Sequence, residues 1–317
     1  MKLVSVLVPI YNVERFIERC AVSLFEQTFL DIEFVFLNDC TPDRSMEILC
    51  DILSRYPQCK EKTRIISNDR NMGIAFTRNR LLDNAQGEYI YFVDSDDCVS
   101  PDAVEKMYRK AVEEDADIVS CNYYENSGDN QKYISQKIVI DKKELLTNAI
   151  EGISGIHALW KIFVKRELFY QNGIEFDLDI DICEDYVMTI KLFFFSTKIA
   201  YVKDPLYYYT VQINNSSLTK NVTKAQVEII RAVNAVQSFL VRMGQDREYE
   251  NALLIRKLLC KQMYLINKDL FNLHRYYTIF PEANKTWRKL VYRRREMILF
   301  WLAEYKLSWF IYFVLRI

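Results

Sequence analysis

The stretch Tyr89-Ile90-Tyr91-Phe92-Val93-Asp94-Ser95-Asp96-Asp97 decides how this 317-residue chain is read. Five apolar or aromatic residues in a row, too few for a helix, read as a strand covered on both faces. Three carboxylates in four residues follow at once. Asp and Ser often mark turns and helix caps. That reading serves one acidic residue better than three, because close carboxylates repel one another. A hard divalent cation with oxygen ligands is the simplest compensation.

The same alternation extends upstream. Short apolar runs at 3–8, 33–37 and 64–67 read as strands, and a fifth spans Asp117–Tyr123. Helical spacing fills the gaps: about Val13–Gln27, Met46–Leu53, Ile74–Ala85, and Pro101–Glu114 with Ser100 as its cap. Apolar strands alternating with helices indicate a doubly wound, Rossmann-like α/β sheet, mostly parallel. Such sheets bind ligands beyond the carboxyl ends of their strands, where strand order reverses. Those ends carry Pro9-Ile10-Tyr11-Asn12, then Asn38-Asp39-Cys40-Thr41-Pro42-Asp43-Arg44-Ser45, then the Asp94–Asp97 cluster. Neither G-x-G-x-x-G nor G-x-x-x-x-G-K-[ST] occurs, so a dinucleotide fingerprint and a P-loop are unsupported.

Composition narrows the classes further. Half the residues are hydrophobic, which excludes a disordered chain. Lys and Arg number 42 against 43 Asp and Glu, so nothing argues for a nucleic-acid partner. Two His residues, His157 and His274, leave no basis for a His-rich zinc site. Eight Cys residues without a C-x-x-C pair read as reduced thiols of a cytoplasmic protein. The chain opens without a secretory leader pattern.

Four ordered segments carry a resemblance. They are Val4–Glu14, Asn38–Ser45, Asn71-Met72-Gly73-Ile74-Ala75 with Arg78-Asn79, and Gly87–Asp97. Together they resemble the family-2 glycosyltransferases of GT-A fold. Glu184-Asp185 resembles that family's Glu-Asp motif, extending the likeness to about residue 215. The resemblance implies a metal-dependent, inverting transfer from a nucleotide-diphosphate sugar, most often a UDP-sugar. It assigns Pro9, Tyr11, Asn12 and Asp39 to the nucleotide pocket and Arg78 beside it. It assigns Asp94 and Asp96 to ribose and Mn²⁺ or Mg²⁺, with Asp97 close by or as an alternative ligand. It makes Asp185 the base and Glu184 its partner on an acceptor hydroxyl. Apart from the resemblance, His157 and Trp160 read either as core or as the lining of an acceptor pocket. The acceptor it suggests is a saccharide or polyprenyl-linked saccharide of a cell-surface polysaccharide.

Two positions depart from the family pattern. Cys40-Thr41 stands where Gly-Ser is usual, and no Arg follows Tyr207-Tyr208-Tyr209 to meet the diphosphate. Lys161 and the loop 214–217 are the candidate replacements. A nucleotidyltransferase, or a sugar-nucleotide binding module without catalysis, are the competing readings. The first lacks its Gly-rich basic loop after strand one.

Residues 1–220 are expected to form the catalytic domain, with a nucleotide-binding half at 1–124 and an acceptor half at 125–220. Residues 221–317 read as a helical C-terminal extension. Within it, 285–317 hold eight Lys or Arg against two Glu, interleaved with Trp, Tyr and Phe. That pattern suits either a helix pair packed on the protein or a peripheral contact with an anionic membrane face.

Overall fold

The computed structural model describes residues 2–128, 130–135, 141–152, 157–211, 222–267, 270–290 and 292–315. Among the described residues nine strands form one mixed sheet: β1 Val4–Ile10, β2 Ile32–Asn38, β3 Thr63–Ser67, β4 Tyr89–Phe92, β5 Cys98–Val99, β6 Ile118–Ser127, β7 Asn130–Ile134, β8 Ile162–Lys165 and β9 Ile199–Thr210. Their order is β3-β2-β1-β4-β8-β6-β9-β5, with β7 paired to the edge of β6.

The half β3-β2-β1-β4 is fully parallel. β1, β2 and β4 are apolar and buried along most of their length, as strands covered on both faces must be, while the edge strand β3 is only partly buried. The chain runs outward from β1 through β2 to β3, then returns to place β4 on the other side of β1. The reversal point therefore lies at the carboxyl ends of β1, β2 and β4. All three polar loops singled out above emerge there.

The second half is mixed. β8 inserts antiparallel between β4 and β6. β6 and β9 run parallel, while β5 and β7 add antiparallel edges. The helix after β5 opens at Ala103 with Asp102 as its N-cap, two residues later than Pro101 suggested. Ser100 Oγ instead donates to Asp102 at 3.0 Å.

The chain divides into two compact units, residues 1–145 with 156–220, and residues 146–155 with 221–317. Residues 146–155, expected in the catalytic domain, fall in the second unit. That unit is helical, with a core of its own formed by Leu258, Leu265, Tyr276, Leu299, Phe300, Ala303 and Ile311.

Candidate active site

The loops after β1 and β2 are laced to each other. Asp39 N donates to Ile10 O at 3.0 Å, and Asn12 N to Thr41 Oγ1 at 2.7 Å. Asp43 accepts from Thr41, Ser45 and Glu14 N, binding the turn into one piece. Both Asn12 and Cys40 sit in the left-handed region, at φ +57° and +55°. Cys40 thus adopts the backbone the family's glycine takes freely, at a cost of about 1 kcal/mol. Pro9 is buried at the end of β1, and Tyr11 and Asn12 face solvent beside it.

Asp39 is 4% exposed. Its Oδ1 accepts from Asn68 Nδ2 at 2.6 Å and Met72 N at 2.8 Å, and its Oδ2 from Gly73 N at 3.1 Å. The carboxylate therefore shapes the turn that starts the Ile74–Asp83 helix. A carboxylate offers about four acceptor sites, so three donors leave room for one more. Gly73 is required there: at φ +88° a Cβ would lie 2.6 Å from Asp181 Oδ1.

The Ile74–Asp83 helix buries Ala75, Thr77, Arg78, Leu81 and Leu82. That face aims Arg78 at the carboxyl end of β4. Its Nη2 donates to Asp94 Oδ1 at 3.0 Å, and its Nη1 bonds both Glu184 Oε1 and Asp185 Oδ1. Glu184 and Asp185 open the Glu184–Phe195 helix, entered through Cys183 in a left-handed turn. One guanidinium thus joins residues 94, 184 and 185.

Charge in this cluster is unbalanced. Burial disfavours the Arg78 cation, but Asp185, Glu184 and Asp94 outweigh it and hold its pKa above the usual arginine value. Burial pushes Asp94 up to about 6; Arg78 opposes the rise, and the charges of Asp185 and Asp96 add to it. Burial and Asp185 raise Glu184 well above the carboxylate range, again against Arg78. Of the last pair Asp185 is the more accessible, with a side chain 25% exposed against 11% for Glu184. Leu159 N approaches Asp185 Oδ2 at 3.5 Å.

Asp97 lies beside the pair, turned inward. It is 1% exposed; Tyr207 OH donates to its Oδ2 at 2.8 Å and Thr210 N to its Oδ1 at 2.6 Å. Both oxygens are thereby engaged, and the residue anchors the loop to β9. Tyr207 OH also lies 3.2 Å from Asp94 N, and Arg19 Nη2 holds Asp96 O at 3.0 Å. These loop supports were not foreseen.

The Asp94–Asp96 pair offers hard oxygen donors where negative charge exceeds positive. That set fits a Mg²⁺- or Mn²⁺-type ion, which takes one or two carboxylates and fills its shell with phosphate oxygens. Among the described residues no group of three or more His, Cys, Asp or Glu side chains is arranged to hold a metal on its own.

Lys161 does not present a free ammonium to a diphosphate. It is 1% exposed, with Nζ 5.8 Å from the ring centres of Tyr123 and Trp160. Trp160, 8% exposed, stacks between Tyr207 at 4.4 Å and Tyr209 at 5.3 Å. His157 is half-buried and its ring meets Tyr186 at 5.3 Å. The loop 214–217 lies outside the described residues.

The chain is similar to known proteins. Residues 5–173 match the family model described as Glycosyl transferase family 2. An "Uncharacterized glycosyltransferase EpsJ" of Bacillus subtilis is 35% identical over 224 residues, 69% of this chain and 63% of that protein. A "Poly(ribitol-phosphate) beta-glucosyltransferase" of Bacillus spizizenii is 29% identical over 239 residues, 73% of this chain and 37% of that protein. The matched region is thus under two thirds of the length of either relative. Among solved structures, S. aureus TarS 1-349 in complex with UDP-GlcNAc superimposes with a TM-score of 0.68 at 19% identity, covering 96% of this chain and 88% of that one. The fold is the mixed α/β GT-A fold with a helical C-terminal region, and the chain belongs to glycosyl transferase family 2.

Proposed function

We propose that the chain moves a sugar from a UDP-sugar to a hydroxyl of a saccharide or polyol-phosphate polymer in cell-surface polysaccharide assembly, with inversion at the anomeric carbon. The observation that carries this reading is Arg78, which ties Asp94 of the donor motif to the acidic pair 184–185 in one cluster. Donor-side and acceptor-side chemistry are then within one side chain of each other.

In this reading the loops after β1 and β2 receive the base, with Asp39 offering its remaining acceptor site to a ring N–H. Asp94 faces the ribose. Asp94 and Asp96 would hold Mn²⁺ or Mg²⁺, which when bound neutralises charge on the diphosphate leaving group. Asp97, turned inward, positions that pair. Asp185 accepts the acceptor hydroxyl proton as the oxygen attacks C1 and the bond from C1 to the diphosphate oxygen breaks, releasing UDP. A single attack on the face opposite the leaving group inverts the configuration. Arg78 Nη1 holds Asp185 by its Oδ1, which fixes where the base sits.

The UDP-GlcNAc named for the TarS complex and the polymer named for the Bacillus spizizenii relative support the choice of donor and acceptor class. The test is a nucleotide-sugar panel with Mn²⁺ and poly(ribitol-phosphate) or oligosaccharide acceptors, followed by proton NMR of the product. UDP release with the opposite anomeric configuration is expected, and Asp96→Ala should weaken metal-dependent UDP binding at least tenfold. Retention of configuration, or turnover of GDP-sugars alone, overturns the reading.

A further inference from the structure

The C-terminal unit carries an exposed apolar surface. Helices Arg294–Glu304 and Ser308–Leu315 both bury one side in the small helical core, through Leu299, Phe300, Ala303, Ile311 and Leu315. Their other sides are not polar. On the first helix Met297, Ile298 and Trp301 recur at helical spacing, continued by Tyr305 just past its end, and are 38–58% exposed. On the second, Trp309 is 82% exposed and Phe313, one turn on, 79%. Six such side chains together leave on the order of 500 Å² or more of apolar surface in water, at or above the largest patch of an ordinary monomer.

The surrounding charge indicates the occupant. Arg293, Arg294 and Arg295 open the first helix and are exposed, and Lys306 lies exposed between the two helices. The nearby acids are spoken for: Glu304 pairs with Arg288, and Glu296 accepts from Arg293 N. Two copies meeting through this face would bring like charges together, because 285–317 hold eight Lys or Arg against two Glu. An anionic surface would instead attract them. Exposed Trp and Phe beside basic residues match the interfacial zone of a bilayer, where an apolar body and a charged rim are both satisfied.

We infer that this face seats the protein on an anionic lipid surface, with Trp309 and Phe313 entering the acyl boundary and the arginines meeting headgroup phosphates. The contact is peripheral. The Ser308–Leu315 helix is eight residues long, about 12 Å, and among the described residues no helix is long and apolar enough to cross a membrane. The inference stands independently of the donor and acceptor named above.

The test is flotation of the 317-residue chain with phosphatidylcholine vesicles and with vesicles containing about one third phosphatidylglycerol, beside sedimentation velocity without lipid. The parent chain should float with the anionic vesicles only. Trp309→Ser with Phe313→Ser should lower the partition about tenfold or more. Arg294→Glu with Arg295→Glu should abolish the preference for anionic lipid, while both variants keep the far-UV circular dichroism and monomeric sedimentation of the parent. Failure of the parent to float, equal flotation of parent and Trp309/Phe313 variant, or a parental dimer that the variant converts to monomer would each overturn the inference. The last result would assign the face to a second copy.

Discussion

Arg78 donates from Nη2 to Asp94 Oδ1 at 3.0 Å, joining the middle of the Ile74–Asp83 helix to the loop after β4. Nη1 holds Glu184 and Asp185, so the cation is shared by groups up to 107 positions away in sequence. Removing one partner from a buried ionic cluster leaves the remaining charges uncompensated, and typically costs about 3–5 kcal/mol. Arg78→Met is therefore expected to destabilise the first unit by about that much in urea unfolding, and to raise the pKa of Asp94 and Glu184, which Arg78 holds down. A cost under about 1 kcal/mol would mean that the cluster is solvated and Arg78 a bystander.

Tyr207 supports the acidic loop from beneath. Its hydroxyl donates to Asp97 and lies 3.2 Å from Asp94 N. Tyr207→Phe keeps the ring and its stacking on Trp160 but withdraws the donor from a carboxylate 1% exposed. An unsatisfied buried acceptor costs about 1–3 kcal/mol, a drop in Tm of a few degrees for a unit of this size. Because the loop it holds carries Asp94 and Asp96, UDP affinity in Mn²⁺ should fall with it. Calorimetry and titration with UDP check both, and loss of stability with unchanged UDP binding would separate Tyr207 from the site.

Lys161 makes stability depend on pH. Burial pushes its ammonium down to about 7 from an ordinary 10.5, with Cys121 and Asp185 pulling the other way. Between those values the unfolded chain binds a proton that the folded chain does not, so this contribution to stability rises with pH across the window. It is lost as pH falls through about 7. Lys161→Met fills the same space without the charge. It should be more stable than the parent by on the order of 3 kcal/mol near pH 6, and the gap should shrink as pH approaches 10. Parallel stability profiles for the two chains from pH 6 to 10 would refute the burial argument.

Much of this was legible in the sequence, and the limits have physical causes. β1, β2 and β4 announced themselves because a strand covered on both faces must be apolar along most of its length, and Val4–Ile10 or Tyr89–Phe92 can be little else. β8 was missed because its apolar run is only Ile162–Val164, set between Lys161 and Lys165, and β7 because its edge position tolerates the polar run Asn130–Lys132. The carboxylates after β4 stood out through mutual repulsion, a property of neighbours in sequence. Their partners did not: Tyr207 meets Asp97 across 110 positions, which only the register of β9 could reveal. Lys161 looked like a free cation because nothing local says that Tyr123 and Trp160 enclose it.

The central claim is that Asp185 removes the proton from the attacking hydroxyl. Single-turnover transfer from bound UDP-sugar, compared between the parent and Asp185→Asn with Mn²⁺ present, tests it most directly. The account predicts a rate lowered by about 10²–10⁴, with UDP affinity held within about threefold of the parent because the donor contacts lie elsewhere. Transfer at the parental rate by Asp185→Asn, with UDP bound normally, would contradict it.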